Sequence, residues 1–201
     1  MLVDELRAVH VVVGYDYTFG RMGQGTPAGL VQFGAEFGFG VTVVPKVEID
    51  GAAVSSTRIR GAVAAGDVAL AARLLGRPHR VDGVVERGRG VGSQIGFPTA
   101  NIRTPRGIAL PAKGVYACYA HDAAGKRWPA VCNVGERPTF SDAARGVRVE
   151  AHLVGTAGDF YNQRMSLDFV GRLRPEQAFE SSEALVAQVK NDIAAALTML
   201  D

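Results

Sequence analysis

The feature that most constrains the fold of this chain is a change of pattern after Gly76. From there to Arg174, short runs of alternating apolar and polar residues are separated by turn-forming residues, with no helical periodicity between them. The clearest runs are VDGVVERG, GVYACYA, WPAVCNVG, VRVEAHLV and RMSLDFVGRLR. Five or six consecutive strands without helices predict a small antiparallel barrel or sandwich.

A helix is predicted after these strands, in SSEALVAQVKNDIAAALTML. A serine can cap its first turn, Glu183 favours the positive end of the helix dipole, and apolar residues recur at i+4 spacing. That apolar stripe predicts that the helix packs on the barrel.

The first part of the chain has a different pattern. Val9–Val13 is typical of a buried parallel strand, PAGLVQFGAEFG of a helix that starts at proline, and Phe39–Ile49 of a second strand. SSTRIRGAVAAGDVALAARLLG predicts two short helices that break at Gly66. We therefore predict an α/β domain over residues 1–75 and the β domain over residues 76–201.

Composition narrows the classes of partner. The net charge of +2 is scattered, so no electrostatic footprint for nucleic acid is expected, and no apolar run approaches the roughly 18 residues of a membrane span. The first ten residues do not resemble a secretory signal. Cys118 and Cys132 lack metal-ligand spacing, which favours buried, reduced thiols in a cytoplasmic protein. No protein partner is indicated.

The segment QIGFPTANI, Gln94–Ile102, joins two β-like regions and contains the first candidate site. Gly96 and Pro98 shape a turn, which is all that an ordinary connector needs. Thr99 adds a hydroxyl and Asn101 an amide oxygen, both neutral oxygen ligands suited to Mg²⁺ or to phosphate-bound water.

The preceding loop, GRGVGS, is rich in glycine and follows a strand. Such a loop is often only a hairpin, but it can also direct several backbone N–H groups at phosphates. Its position next to Thr99 and Asn101 favours a polyphosphate site, with candidate contacts at Gly88, Gly90, Gly92 and Ser93.

Glu150, in VRVEAHLV, is the second candidate. Alternation places Arg148, Glu150 and His152 on one face of the predicted strand and apolar residues on the other. The polar face can be simply solvated, or Glu150 can be a general base held by a rigid strand.

Three further segments have both a structural and a functional interpretation. NVGERPTF, with Asn133 and Arg137, is either a β-turn connection or a loop that flanks the ligand; Arg174 is either a surface residue or part of the same flank. SSTRIR is either an ordinary capped helix or an anion site at a helix start, with Ser55, Ser56, Thr57 and Arg60 as its candidates.

Together these motifs resemble the bifunctional bacterial riboflavin kinase/FAD synthetase family. GFPTANI, GVYA, NVGERPTF, VEAHLV and LRPEQAFESSEALVAQVKND resemble its riboflavin kinase module in the expected order over residues 76–201. GYDYTFG and VSSTRIRGAVAAGD resemble the later part of its adenylyltransferase module.

The resemblance implies a six-stranded Greek-key barrel with a C-terminal helix, preceded by a remnant of a Rossmann-like nucleotidyltransferase domain. It also implies phosphoryl transfer from Mg-ATP to the ribityl hydroxyl of riboflavin, which yields FMN. Thr99 and Asn101 then hold Mg²⁺ and the nucleotide phosphates, and Glu150 accepts the hydroxyl proton. Asn133, Arg137 and Arg174 are the expected flavin-side residues.

Two departures from the family pattern affect these expectations. The family's glycine-rich loop often has arginine where this chain has Ser93, and no HxGH motif occurs around any of the four histidines. We therefore expect a riboflavin kinase whose adenylyltransferase half is incomplete, with Ser55, Ser56, Thr57 and Arg60 as a residual motif. A bifunctional enzyme that also makes FAD, and a flavin-binding fragment without useful catalysis, are the alternatives.

Overall fold

The computed structural model describes residues 2–88, 90–136, 147–156 and 158–201. Contacts between Cα atoms divide the chain into two compact units, Met1–Val54 and Ser55–Asp201. The proposed functional division between residues 75 and 76 stays a prediction, since the helices of residues 56–75 belong to the second compact unit.

The first unit is built on a strand-helix-strand arrangement. Strands β1 (His10–Gly14) and β2 (Gly40–Val44) pair in parallel, and helix α1 (Pro27–Phe37) connects them. A short hairpin of β3 (Glu48–Ile49) and β4 (Ala52–Ala53) follows. This unit has the predicted α/β character but ends at Val54, before the two helices that the prediction included. The first strand is not buried as expected, since Val9 and Val12 are 84% and 62% exposed, and the second is shorter than expected because it ends before Pro45.

Helix α1 begins and ends as its sequence predicts. The hydroxyl of Thr26 accepts a hydrogen bond from the Gly29 N–H at 3.2 Å, and Gly38 ends the helix with φ of 76°, a conformation that glycine adopts without strain. The core of this unit is small: Val13, Leu30 and Phe39 are its buried apolar residues among those described.

The second unit contains a closed barrel of six antiparallel strands in the order β10-β5-β6-β9-β8-β7. The predicted barrel and its terminal helix are confirmed. Sequence patterning missed one strand. The last part of QIGFPTANI is not a connector but a strand that pairs with a neighbouring strand on each side. The strands are β5 (His79–Glu86), β6 (Ala100–Arg103), β7 (Gly114–Asp122), β8 (Arg127–Glu136), β9 (Val147–Leu153) and β10 (Arg164–Arg174).

Inward-facing side chains fill the barrel, and Tyr116, Met165 and Phe169 are the largest of those that are less than 2% exposed. Cys118 and Cys132 lie on neighbouring strands in this core as free thiols, as predicted. Burial raises the pKa of the Cys118 thiol, and its hydrogen bond with Cys132 adds to the rise. The Cys118 thiol is therefore protonated and unreactive in the folded protein.

Helices α2 (Ser56–Ala65) and α3 (Val68–Leu75) precede the barrel, with the predicted break at Gly66, whose φ is 79°. Val68 joins the barrel core, so α3 closes part of the barrel interior.

Helix α5 (Ser182–Leu200) packs on the outside of the barrel. The Ser181 hydroxyl caps it by accepting from the Ala184 N–H at 3.2 Å, and Ala196 and Leu200 pack against apolar residues of β7 and β8. Among the described residues, no helix combines the length and hydropathy that crossing a membrane requires.

Candidate active site

The candidate site lies on the outer face of the barrel, where β6, β9 and β8 are neighbours. The ladder register places Asn101 opposite Glu150, and Glu150 opposite Asn133. Val149 and Ala151, on either side of Glu150, are buried in the core, so alternation turns the three polar side chains outward. Three residues predicted from separate segments thus form one row across three strands.

A cavity of about 360 Å³ lies over this face, between the barrel and α5. One side is polar and includes Thr99, Asn133, Arg148, Glu150 and Glu176, while α5 and the neighbouring segments provide an apolar wall. The apolar lining residues are Ile95, Phe97, Val115, Val131, Phe179, Leu185 and Val189.

The glycine-rich loop lies directly against the row. A Cβ added at Gly88 would lie 2.1 Å from Nδ2 of Asn101, and one at Gly92 would lie 2.4 Å from the Phe97 carbonyl oxygen and 3.3 Å from Oγ1 of Thr99. Gly90 begins a short helical turn, α4 (Val91–Gln94), with φ of 72°. A side chain at residue 92 would collide with the Phe97 backbone, and one at residue 88 would displace the end of the Asn101 side chain, so the loop backbone lies close to Thr99 and Asn101.

A second cavity, of about 260 Å³, lies on the other side of the Pro98–Thr99 segment. Ser93, Asp159 and Tyr161 line it together with Pro98 and Thr99. Thr99 lines both cavities, so ligands placed in them would both contact this residue.

Glu150 is largely buried, with 15% of its side chain exposed, and its Oε1 accepts a hydrogen bond from Nη2 of Arg148. A solvated polar face is therefore the wrong interpretation of this strand. His152, the third residue of the face, lies with Nδ1 2.8 Å from the Pro98 carbonyl oxygen and its ring edge-to-face with Phe97. Its role is to hold the turn before Thr99.

Arg174 lines the first cavity, and each of its three guanidinium nitrogens donates a hydrogen bond within the protein. Nε and Nη2 donate to the carboxylate of Asp192 at 2.8–3.1 Å, and Nη1 donates to the Pro175 carbonyl oxygen at 3.1 Å. Asp192, on α5, is 4% exposed and also accepts from Gln188. The ion pair joins α5 to the end of β10 and makes Arg174 part of the cavity wall rather than a surface residue.

Sequence reasoning missed Glu176 and assigned no role to Arg148. The Asn133 amide donates to Glu176 at 3.2 Å, and the Glu176 carboxylate fills the space beside Gly135, where a Cβ would lie 2.2 Å from Oε1. Alternation had placed Arg148 on the face of Glu150, so its position was available from the sequence. Glu176 follows β10, and no local pattern indicates that it turns back over β8.

The remaining candidates lie elsewhere. Arg137 is outside the described residues. The Ser55 hydroxyl accepts from the Arg58 N–H at 3.2 Å, as in an ordinary capped helix, and Ser56, Thr57 and Arg60 lie in α2, outside the described lining of both cavities. No group of three or more His, Cys, Asp or Glu side chains in the described part of the chain could hold a metal.

Comparison with known proteins places these features in context. The family model for riboflavin kinase matches residues 75–200, and the model for FAD synthetase matches residues 1–58. The bifunctional riboflavin kinase/FMN adenylyltransferase of Pseudomonas fluorescens is 43% identical over 196 residues, which are 98% of this chain and 62% of that protein. The protein of the same name from Escherichia coli K12 is 38% identical over 96% of this chain and 60% of its own length. The chain thus spans about 60% of these curated relatives.

A solved structure is also similar over most of the chain. The crystal structure titled macrolide-efflux protein from Streptococcus pneumoniae superposes with a TM-score of 0.84 at 33% sequence identity, over 95% of this chain and 60% of that one. The activity in its title differs from the activity that the curated relatives are named for.

Proposed function

Because this chain belongs to the riboflavin kinase family, we propose that it transfers the γ-phosphoryl group of Mg-ATP to the 5′-hydroxyl of the riboflavin ribityl chain, which yields FMN. The observation that carries this proposal is the row of Asn101, Glu150 and Asn133, covered by a glycine-rich loop and bordered by two cavities that share Thr99. We place the reaction in the cytoplasm, where the two buried thiols stay reduced.

The two cavities suit the two substrates. The larger one combines apolar lining from α5, the barrel strands and the neighbouring loops with the polar side chains of Asn133 and Glu150, as a flat tricyclic ring with a hydroxylated chain requires. Asn133 and the clamped Arg174 border it as the flavin-side residues. The second cavity, with Phe160 and Tyr161 in its lining, suits the nucleotide base, since aromatic rings stack on planar heterocycles.

The residues at the junction fit a magnesium ion and phosphates. The Thr99 hydroxyl and the Asn101 amide oxygen would hold Mg²⁺, with nucleotide oxygens and water as further ligands, which is how Mg²⁺ usually binds with phosphates. The close approach of Gly88 to Asn101 and of Gly92 to Thr99 shows that the loop leaves room for backbone rather than side chains here. When bound, the ion neutralises charge on the phosphate oxygens.

Glu150 accepts the proton of the ribityl hydroxyl as the oxygen attacks the γ-phosphorus. The new O–P bond forms while the bond from the γ-phosphorus to the β,γ-bridging oxygen breaks, so FMN and ADP leave and the proton passes from Glu150 to solvent. The transition state of phosphoryl transfer is loose, so positioning and charge neutralisation provide most of the catalysis. A rigid strand holds the carboxylate, which meets that requirement.

A second candidate, adenylylation of FMN to FAD, is favoured by the FAD synthetase match over residues 1–58. The sequence of this chain lacks an HxGH motif, and the Ser55 hydroxyl is used as a helix cap. We therefore assign only the kinase reaction to this chain. Formation of FAD by this chain would contradict that assignment.

Glu150→Gln tests the proposal. The amide keeps the size of the side chain but cannot accept the proton, so we expect FMN formation to fall by about 10²–10⁴-fold with unchanged circular dichroism. Glu36→Gln, in an exposed carboxylate of α1, is the matched control and should keep wild-type turnover. A Glu150→Gln variant with more than a tenth of wild-type kcat would refute the assigned role of Glu150.

A further inference from the structure

Two arginines are among the described residues that line the larger cavity, and their hydrogen-bond partners differ. Arg174 donates to Asp192 and to the Pro175 carbonyl oxygen, whereas Arg148 donates to Glu150. We propose that Arg148 is a positioning residue, which orients the Glu150 carboxylate for proton acceptance. This inference rests on the proposed kinase function.

The strand itself forces the two side chains together. Arg148 and Glu150 are two residues apart on β9, so both point to the outer face, and the intervening Val149 is 1% exposed in the barrel core. Since a one-residue slip would expose Val149 and bury both charges, the register is strongly fixed. Their side chains are 22% and 15% exposed, so solvent competes little for this contact.

The neighbouring strand leaves room for the guanidinium and adds negative charge. Gly135, the ladder partner of Arg148 on β8, has no side chain, and the Glu176 carboxylate lies beside it. Arg103, the nearest arginine on β6, donates instead to Glu86. Arg148 thus contacts Glu150, the carboxylate assigned to catalysis.

The hydrogen bond from Arg148 restricts the orientation of the Glu150 carboxylate. The terminal torsion of a glutamate is broad, so an unpartnered carboxylate samples many orientations. Arg148 binds Oε1, which leaves Oε2 to accept the hydroxyl proton. Misplacing a reacting group by about 1 Å can cost on the order of 10²-fold in rate, so the contact should act on kcat rather than on substrate affinity.

The test compares Arg148→Met, Arg148→Lys, Glu150→Gln and the double variant Arg148→Met/Glu150→Gln in steady-state FMN formation. We expect Arg148→Met to lower kcat by about 10–100-fold with KM for riboflavin and ATP within about threefold of wild type, and Arg148→Lys to restore part of the loss. In the Glu150→Gln background, Arg148→Met should cost nothing further, since it acts through that carboxylate. Arg127→Met, on β8 and outside the described lining of both cavities, is the matched control.

The outcomes separate the inference from the function on which it rests. A wild-type protein that makes no FMN refutes the proposed function and removes the step assigned to Arg148. An active wild type with normal kcat in Arg148→Met refutes the Arg148 assignment alone. Additive losses in the double variant, or a loss confined to KM for ATP, would also overturn it, because both indicate direct contact with substrate. If Arg148→Met does not fold, Arg148→Lys and its double variant with Glu150→Gln decide by the same criteria.

Discussion

The close approach of the glycine-rich loop to Asn101 predicts that one methyl group at Gly88 disables the site. A Cβ at residue 88 would lie 2.1 Å from Nδ2 and 2.6 Å from Cγ of Asn101, whereas ordinary contact begins at 3.4 Å. The Asn101 amide or the loop must therefore move by about 1.3 Å, the difference between 3.4 and 2.1 Å. A displacement of this size at the proposed phosphate and metal site corresponds to a loss of about 10²-fold in kcat/KM.

The assay for Gly88→Ala is steady-state FMN formation at varied ATP and Mg²⁺, with thermal unfolding measured in parallel. Gly88 is exposed, so we expect the free energy of unfolding to change by no more than about 0.5 kcal/mol. Gly61→Ala is the control, because a Cβ there meets no atom within 4 Å and alanine favours the interior of α2. If Gly88→Ala keeps the wild-type kcat/KM, the close contact between Gly88 and Asn101 does not organise the site.

Two further predictions concern ion pairs that stabilise the second unit, one between β10 and α5 and one between β5 and β10. Asp192→Ala leaves the largely buried Arg174 guanidinium without its partner and should lower the free energy of unfolding by about 3–5 kcal/mol in urea titrations; a loss below about 1 kcal/mol would contradict a structural role for this pair. Burial opposes ionisation of Asp168, but the hydrogen bonds and charge of Arg80 outweigh it and hold the Asp168 pKa below its usual value. The stability that Asp168 contributes is therefore fully present above about pH 4, the unfolded value, and is lost as pH falls through its lower folded pKa. The stability difference between wild type and Asp168→Asn should shrink between pH 5 and pH 2, and an equal difference at both ends would contradict the sign.

Local patterns were sufficient for the type and order of most elements, whereas closure of the strands into a barrel rather than a sandwich was implied by the family resemblance. Alternation revealed the strands around Val149, the proline of α1 and the serine before α5 marked helix starts, and Gly66 marked the break between α2 and α3. Strand β6 escaped detection because it has only four residues and sits in a segment dominated by turn signals. Its pairing with β9 is a long-range contact, which no local pattern can show.

For the candidate site too, local patterns indicated single residues, and long-range contacts determined how they are arranged. Thr99, Asn101, Glu150 and Asn133 were predicted from separate segments, and the barrel register explains why Asn101, Glu150 and Asn133 lie in one row. Arg174 was interpreted as a surface or flanking residue because its partner, Asp192, lies 18 positions later on α5.

The most direct test of the central claim is identification of the product that this chain makes from riboflavin and Mg-ATP, by liquid chromatography with mass detection. The account predicts FMN and ADP in equal amounts, with FMN formation lost in Glu150→Gln, and no FAD even when FMN and ATP are supplied. A folded protein that binds riboflavin but forms no FMN would contradict the proposed kinase, and FAD among the products would contradict the assignment of a single activity to this chain.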